Sequence, residues 1–386
     1  MNSGDVPFDA AEIALVVERA LGKPASLEGL EITRLGEVAN ASATGGLWRV
    51  RSARGAWSVV VKILRHSEAG HRHWLSSSDV RDPMYWKREA RVLASGVLAG
   101  APGVTPPRCF GVFDGEGETS RLWMEDVSGE AAVGWEESRY FLAARHLGEL
   151  QGYYLARGAP PDEPWLSRQW LRAYVERRKD MFAIIDVKEA WSSSLVKLAF
   201  EGDRSESIRQ LWDARHRTLD LLEALPQTLC HHDYWSKNLF SRPSPGGTET
   251  VAIDWAYSGL GAPGEDLATL TVDTLWDFFL RASKHVLTLE QGVFASYVEG
   301  LRSQAPVDAT LIRFAYAAAT SLKYLWGCAD LLFLAVDKDA RERVSRRFDI
   351  GIEEFFVERG ILQRHLLDLG EEARRSARSR SPLRGR

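Results

Sequence analysis

The segment that decides the fold is HHDYWSKNLF at residues 231–240, followed by VAIDWA at residues 251–256. Asp233 and Asn238 lie in a predicted loop, and Asp254 ends an apolar, strand-like run. Two carboxylates and a carboxamide on adjacent strand ends offer the hard oxygen ligands that suit Mg²⁺ when it also binds phosphate oxygens and water. A carboxylate left free of the metal can accept a proton from an attacking hydroxyl. Together these groups indicate phosphoryl transfer from a nucleoside triphosphate.

The N-terminal part of the chain offers groups that could hold the phosphates. Lys62 lies within the apolar run VVVKIL, where its ammonium needs a buried partner. Glu89, in the next predicted helix, can be that partner and would direct Lys62 toward the α- and β-phosphates. The small-residue turn that begins at Gly36 would let backbone amides approach them. Each feature alone also fits an edge lysine, a hairpin turn or a helix cap, and it is their order and spacing that indicate the chemistry.

This order of motifs resembles the aminoglycoside phosphotransferase and choline kinase-like family, a branch of the protein-kinase fold, over roughly residues 30–335. The resemblance implies that Asp233 is the catalytic base and that Asn238 and Asp254 are the Mg²⁺ ligands. It implies that Lys62 is the phosphate-binding lysine and Glu89 its helix partner. ATP and Mg²⁺ are the cofactors that it implies.

Further positions follow from the same resemblance. The run LWMEDVSG at residues 122–129 matches the hinge, so backbone groups of Glu125 and Val127 are expected to contact adenine. Asp266 matches an acid that braces the catalytic loop, although a simple helix N-cap explains it equally well. His231 is expected to be the scaffold histidine of the motif. The family usually has Gly where this chain has His232, and a packing, substrate-facing or proton-shuttling role stays open for that residue.

The predicted fold class is α+β, a protein kinase-like bilobal fold. Residues 1–125 are expected to form a nucleotide-binding lobe with an antiparallel sheet and one packed helix. Residues 126–370 are expected to form a mainly helical catalytic and substrate-binding lobe, and residues 371–386 a basic disordered tail. Capping-box spacings predict helix starts at Asp9 and Thr288. Helical periodicity predicts helices near 136–155, 165–180, 205–225, 264–283, 287–303, 308–336 and 338–366.

Composition excludes several classes of function. The 49 basic and 53 acidic residues give a net charge of −4, which argues against a nucleic-acid partner. The three cysteines lie far apart, which argues against a disulfide framework and fits the cytoplasm. No signal peptide and no apolar stretch of about 20 residues is recognised, so no membrane partner is expected. The insertion at 65–83, with His66, His71 and His73, is interpreted as a surface loop rather than a metal site.

The acceptor is predicted only as a class. Residues 126–370 hold 36 acidic and 28 basic side chains, which favours a cationic acceptor unless these charges are simply solvated helix faces. Trp235, Trp255 and Trp276 are expected near the cleft. The leading hypothesis is an ATP- and Mg-dependent phosphotransferase acting on a hydroxyl of a small molecule, for example an aminoglycoside-like or other aminated compound. A metabolic sugar or alcohol kinase, a catalytically silent nucleotide-binding scaffold and a metal hydrolase are the alternatives, and the oligomeric state is open.

Overall fold

The computed structural model describes residues 6–36, 43–67 and 75–379. Its strands are β1 (Glu31–Arg34), β2 (Thr44–Arg51), β3 (Ser58–Arg65), β4 (Val104–Thr105), β5 (Cys109–Asp114), β6 (Thr119–Glu125), β7 (Glu130–Ala131), β8 (Thr228–Cys230), β9 (Leu239–Ser244), β10 (Gly247–Ala252) and β11 (Gly259–Gly261). Its α-helices are α1 (Ala10–Leu21), α2 (Arg88–Ser95), α3 (Glu137–Ala156), α4 (Trp170–Glu176), α5 (Lys188–Ser192), α6 (Ser194–Ala199), α7 (Ser205–Asp213), α8 (Arg215–Glu223), α9 (Glu265–Trp276), α10 (Ala282–Gln304), α11 (Ala309–Tyr324), α12 (Trp326–Val336), α13 (Lys338–Phe348) and α14 (Ile352–Ser379).

The N-terminal region is a five-stranded antiparallel sheet with strand order β1-β2-β3-β6-β5. Side chains alternate along β3, so Val59 and Val61 pack toward α1 while Val60 and Leu64 pack toward α2. Lys62 shares the second face, which is why its ammonium points to α2. Helix α1 begins as predicted, with the Asp9 side chain accepting the amide of Glu12 at 2.8 Å.

The C-terminal region is mainly helical and carries the small sheets that hold the 231–256 segment. Strands β9 and β10 form the predicted hairpin, flanked by β7 and β4 in the order β4-β10-β9-β7. Strand β4 pairs in parallel with β10 at Val104 and Thr250, although it precedes the hinge in sequence. Strands β8 and β11 pair on the other side of the loop. The α+β fold class, with an antiparallel N-terminal sheet and a helical remainder, is therefore confirmed.

Several helices begin or end at residues other than those predicted from the helical periodicity. The predicted helix at 264–283 ends at Trp276, and α10 begins at Ala282, so the predicted start at Thr288 is wrong. Thr288 lies inside α10, and its hydroxyl donates to Glu137 at 2.6 Å instead of capping a helix. The predicted helix at 165–180 is shorter in the structure, because α4 ends at Glu176 and a 3-10 segment, Lys179–Asp186, follows.

The expectation of a disordered tail from residue 371 is wrong for the nine residues up to 379. Helix α14 runs to Ser379, and Ala373 and Ala377 are buried in the main hydrophobic core. The Arg374 guanidinium contacts Gln210 at 2.8 Å and Glu371 at 2.7 Å. Small apolar residues spaced four apart keep one helix face buried, and the arginines around them had masked this pattern.

One apolar stretch contradicts the expectation that none is long enough to span a bilayer. Residues 309–336, which form α11 and α12, are long and apolar enough by length and composition. In the structure, 72% of the apolar 18-residue segment within this stretch is buried inside the protein. The stretch therefore has the environment of core helices, with Ala315, Ala318 and Leu322 in the main core.

Candidate active site

A network of ion pairs joins the N-terminal sheet, helix α2 and the end of the β9–β10 hairpin. The Lys62 ammonium lies 2.6 Å from a carboxylate oxygen of Glu89 and 2.9 Å from one of Asp254. Lys62 and Glu89 are buried, whereas 39% of the Asp254 side chain is exposed. The three residues predicted from the motif order therefore meet at one point, with Asp254 open to the cleft.

The Lys62 ammonium and the two carboxylates stabilise one another in their charged forms. Burial alone would lower the pKa of Lys62, but the carboxylates of Asp254 and Glu89 raise it well above its usual value. Burial raises the pKa of Glu89 in spite of the neighbouring ammonium. Burial also opposes ionisation of Asp254, yet Lys62 more than offsets it and lowers the pKa of that carboxyl. Asp254 is thus held as an anion at the mouth of the cleft.

Arg88 fixes helix α2, and therefore Glu89, against the C-terminal region. Its fully buried guanidinium donates to the carbonyl of Trp165 at 2.7 Å and to that of Ala256 at 3.2 Å. It also donates to the carbonyl of Pro83 at 2.6 Å. Backbone carbonyls from both sides of the cleft therefore hold the residue next to Glu89.

Asp233 and Asn238 lie together in the loop between β8 and β9. The Asn238 carboxamide donates to the Asp233 carbonyl at 3.0 Å and to its carboxylate at 2.8 Å. Both bonds use the amide nitrogen of Asn238 and do not involve its side-chain oxygen. Burial and the Asp254 carboxylate raise the pKa of Asp233 to about 7. Asp254 itself has φ 61° and ψ 62°, a left-handed backbone that turns the chain after β10.

Asp266 braces the loop between β8 and β9. Its two oxygens accept the backbone amides of His231 at 2.7 Å and His232 at 2.5 Å, and the Gln151 side chain at 2.9 Å. The N-cap of α9 is Gly264, so the alternative of a simple helix cap is wrong. Burial raises the pKa of Asp266 to about 6, and these amide donors favour its anion.

The two histidines have different surroundings. The His231 ring donates from Nε2 to the Ile253 carbonyl at 3.0 Å and accepts the Asp233 amide at 3.2 Å, so it links both sides of the loop. Burial lowers the pKa of His231 to about 4 and keeps the ring neutral. His232 is buried, its ring stacks on Trp170 at 5.0 Å and 8°, and its backbone φ is 63°. That left-handed φ explains why glycine suits this position.

A cavity of about 490 Å³ lies between the sheet and the hairpin, and Lys62, Glu89 and Asp254 line it. Its other described walls are Leu35, Thr44, Leu47, Arg49, Val60, Met124, Glu125, Asp126, Val127, Phe240 and Ile253. Both predicted hinge residues therefore line it. The amide of Glu125 donates to the Arg108 carbonyl at 2.9 Å. Gly36 has φ 64° beside the cavity-lining Leu35, and residues 37–42 of its turn lie outside the described residues, as do His71 and His73.

The tryptophan predictions are correct only in part. Trp255 follows Asp254 and therefore lies near the cleft, but it is fully buried against His231, with ring centroids 4.5 Å apart, so its ring does not line the cleft. Trp276 packs on Trp326 and on the Arg359 guanidinium, whereas Trp235 is half-buried under Lys237.

Sequence reasoning missed one group beside the catalytic loop. Lys323 of α11 is buried, and its ammonium donates to the His232 carbonyl at 3.1 Å. Trp170 of α4 stacks on His232 of the same loop. The one sequence signal was a lysine in the apolar run AYAAATSLKYLW, where a charged side chain needs partners.

The lobes, the hinge and the paired acidic residues define a kinase-like phosphotransferase fold. The model of the phosphotransferase enzyme family APH matches residues 87–288, slightly more than half of the chain. The chain belongs to this family, and the resemblance inferred from its motifs is confirmed. Lys62 lies before the matched segment, so its place in the site depends on its contacts with Glu89 and Asp254.

Solved structures agree on the fold. A choline kinase from Cryptosporidium parvum has a TM-score of 0.54 at 15% identity, with 95% of this chain and 99% of that chain covered. A microcompartment-associated aminopropanol kinase has a TM-score of 0.52 at 15% identity, with 95% of this chain and 98% of that chain covered. A search of curated proteins found no match. At these identities the likeness concerns the shared fold.

Proposed function

We propose that this phosphotransferase uses ATP and Mg²⁺ to phosphorylate a hydroxyl group of a small molecule. The observation that carries the proposal is the network of ion pairs from Glu89 through Lys62 to Asp254, beside the Asp233–Asn238 pair. This network supports the proposal because phosphoryl transfer needs a phosphate-directed lysine and carboxylate and carboxamide oxygens for the metal.

The donor groups fit a hard cation. Asp254 is a partly exposed anion, and Asn238 keeps its side-chain oxygen unused by the bond to Asp233. In the proposal these two residues hold Mg²⁺, which when bound would neutralise the charge of the transferring phosphoryl group. Lys62 contacts the α- and β-phosphates. Glu125 offers adenine its carbonyl oxygen, because its amide already bonds Arg108, and Val127 offers its amide.

Asp233 accepts the proton of the attacking hydroxyl in this proposal. A carboxyl whose pKa is raised to about 7 is a stronger base than an ordinary aspartate, and an effective base has a pKa near the working pH. The bond from Asn238 fixes which carboxylate oxygen remains open to the acceptor.

We propose that the acceptor is an amino alcohol or aminated sugar. Support comes from the acidic excess of residues 126–370. It also comes from Asp273, whose carboxylate is near enough to Asp233 to help raise the pKa of that residue. The Tyr257 ring, which is partly exposed beside the loop and contacts the buried Trp170 ring, suits ring or cation binding. The three free cysteines support a reducing compartment such as the cytoplasm.

Acceptor-dependent release of ADP from Mg·ATP tests the proposal. The panel compares choline, ethanolamine, aminopropanol and aminoglycosides with uncharged sugars and alcohols of similar size. We expect turnover with at least one aminated acceptor and phosphate recovered on its hydroxyl. Turnover only with uncharged acceptors would keep the kinase and reject the amine. Mg·ATP binding without turnover of any acceptor would favour the silent scaffold.

The hydrolase alternative, a metal site formed by Asp233, Asp254 and the neighbouring histidines, leaves the buried Lys62–Glu89 pair without a role. A second group of possible metal ligands lies behind the loop. Ligand atoms of Cys230, His232 and Asp266 lie within 4.8 Å of one another, but all three residues are buried. Asp266 already accepts two loop amides, and the Lys323 ammonium lies at the His232 carbonyl. A metal ion at this cluster would lie close to the Lys323 ammonium. Two positive charges repel each other strongly in a buried site.

A further inference from the structure

The catalytic loop contains a backbone conformation that its side chain does not favour. His232 precedes Asp233 and has φ 63° and a buried side chain. A residue with a Cβ rarely adopts this conformation unless its surroundings hold it. Any group that fixes the 232 peptide therefore also fixes the direction of Asp233.

Contacts on three sides hold this residue. The amide of His232 donates to Asp266 at 2.5 Å, and its ring lies flat on Trp170. Its carbonyl accepts the Lys323 ammonium at 3.1 Å. The carbonyl contact is the only one of the three made by a side chain from α11, which is distant in sequence.

Burying the Lys323 ammonium in a core helix carries a desolvation cost. It is buried, and burial lowers its pKa in spite of the carboxylates of Asp273, Asp233 and Asp266. Its ammonium also bonds Thr269 at 2.5 Å and lies 4.7 Å from the ring centre of Trp170. An apolar residue of similar length would avoid the desolvation cost if packing were the only role.

We propose that Lys323 is a positioning residue for phosphoryl transfer, which holds the left-handed His232 peptide and thereby aims Asp233 at the acceptor hydroxyl. This inference rests on the proposed function for its effect on rate, but its contact with the His232 carbonyl does not. Lys323 belongs to neither the nucleotide cavity nor the proposed metal ligands, so its loss acts on kcat rather than on ATP binding.

Lys323→Met tests the inference in two backgrounds, wild type and His232→Gly. Glycine adopts a positive φ without strain, so the 232 peptide then needs less support. We expect Lys323→Met to lower kcat by about 10²-fold with an unchanged KM for ATP, the scale of a misplaced catalytic group. In the His232→Gly background the same substitution should lower kcat by a clearly smaller factor. Lys338→Met, at a side chain that is 78% exposed, is the matched control and should leave kcat unchanged.

Thermal unfolding separates this inference from the proposed function. It is measured on the wild type, Lys323→Met, His232→Gly and the double variant. The fall in Tm caused by Lys323→Met should be smaller in the His232→Gly background. Equal falls in both backgrounds, or equal factors in kcat, would overturn the positioning role. If the wild type transfers phosphate to no acceptor, the proposed function fails, and the Tm comparison alone still decides whether Lys323 holds the 232 peptide.

Discussion

Asp233→Asn should lower kcat by about 10³-fold while Mg·ATP still binds with nearly unchanged affinity. The carboxamide has the shape of the carboxylate and can keep a bond with Asn238, which lies 2.8 Å away. It cannot accept the proton of the attacking hydroxyl. Steady-state kinetics with the acceptor found in the panel, together with calorimetric titration of Mg·ATP, measures both quantities.

Asp220→Asn is the matched control for this substitution. Asp220 lies in the same C-terminal region and pairs with Arg172 at 2.6 Å, with a side chain that is 70% exposed. Its kcat should equal that of the wild type, because surface ion pairs contribute little. Near-normal turnover in Asp233→Asn would reject Asp233 as the base.

Lys62→Met should have the largest combined effect on stability and activity. Its removal leaves Glu89 buried without its cation, and breaking a buried ion pair costs about 3–5 kcal/mol of unfolding free energy. Phosphoryl transfer should also fall steeply, because Lys62 is the cation that the proposed function places at the phosphates. Urea unfolding and kcat/KM for ATP measure the two losses.

The double variant Lys62→Met with Glu89→Leu distinguishes the two losses. Replacing both partners by apolar side chains removes the unpaired carboxyl, so most of the lost stability should return. Activity should stay low, because the proposed phosphate contact is still missing. Recovery of phosphoryl transfer in the double variant would show that Lys62 serves the fold alone.

Most residues of the candidate site could be selected from the sequence because they lie in short motifs. Asp233, Asn238 and Asp254 belong to one loop and the hairpin that follows it, so their spacing alone brought them together. Lys62 and Glu89 could be paired because a lysine within an apolar strand needs a nearby carboxylate. Their contact at 2.6 Å agrees with that expectation.

Contacts that depend on distant packing could not be predicted. Lys323 reaches the catalytic loop only because α11 packs on α9, and its sequence context suggests an ordinary core helix. The same reason explains α14, where Ala373 and Ala377 continue a buried face that local composition hides among arginines. The capping-box spacing at Thr288 failed because α10 already begins at Ala282, so Thr288 lies inside the helix and its hydroxyl donates to Glu137 of α3.

We propose above all that Asp254 and Asn238 hold a metal that joins ATP to this chain. Thermal unfolding of the wild type and of Asp254→Ala, with ATP in the presence and absence of Mg²⁺, tests it most directly. A ligand at about 100 times its Kd stabilises the native state by about 2.7 kcal/mol, which raises Tm by several degrees. We predict a rise in the wild type that requires Mg²⁺ and disappears in Asp254→Ala. A rise that persists in the variant, or no rise in the wild type, would contradict the claim.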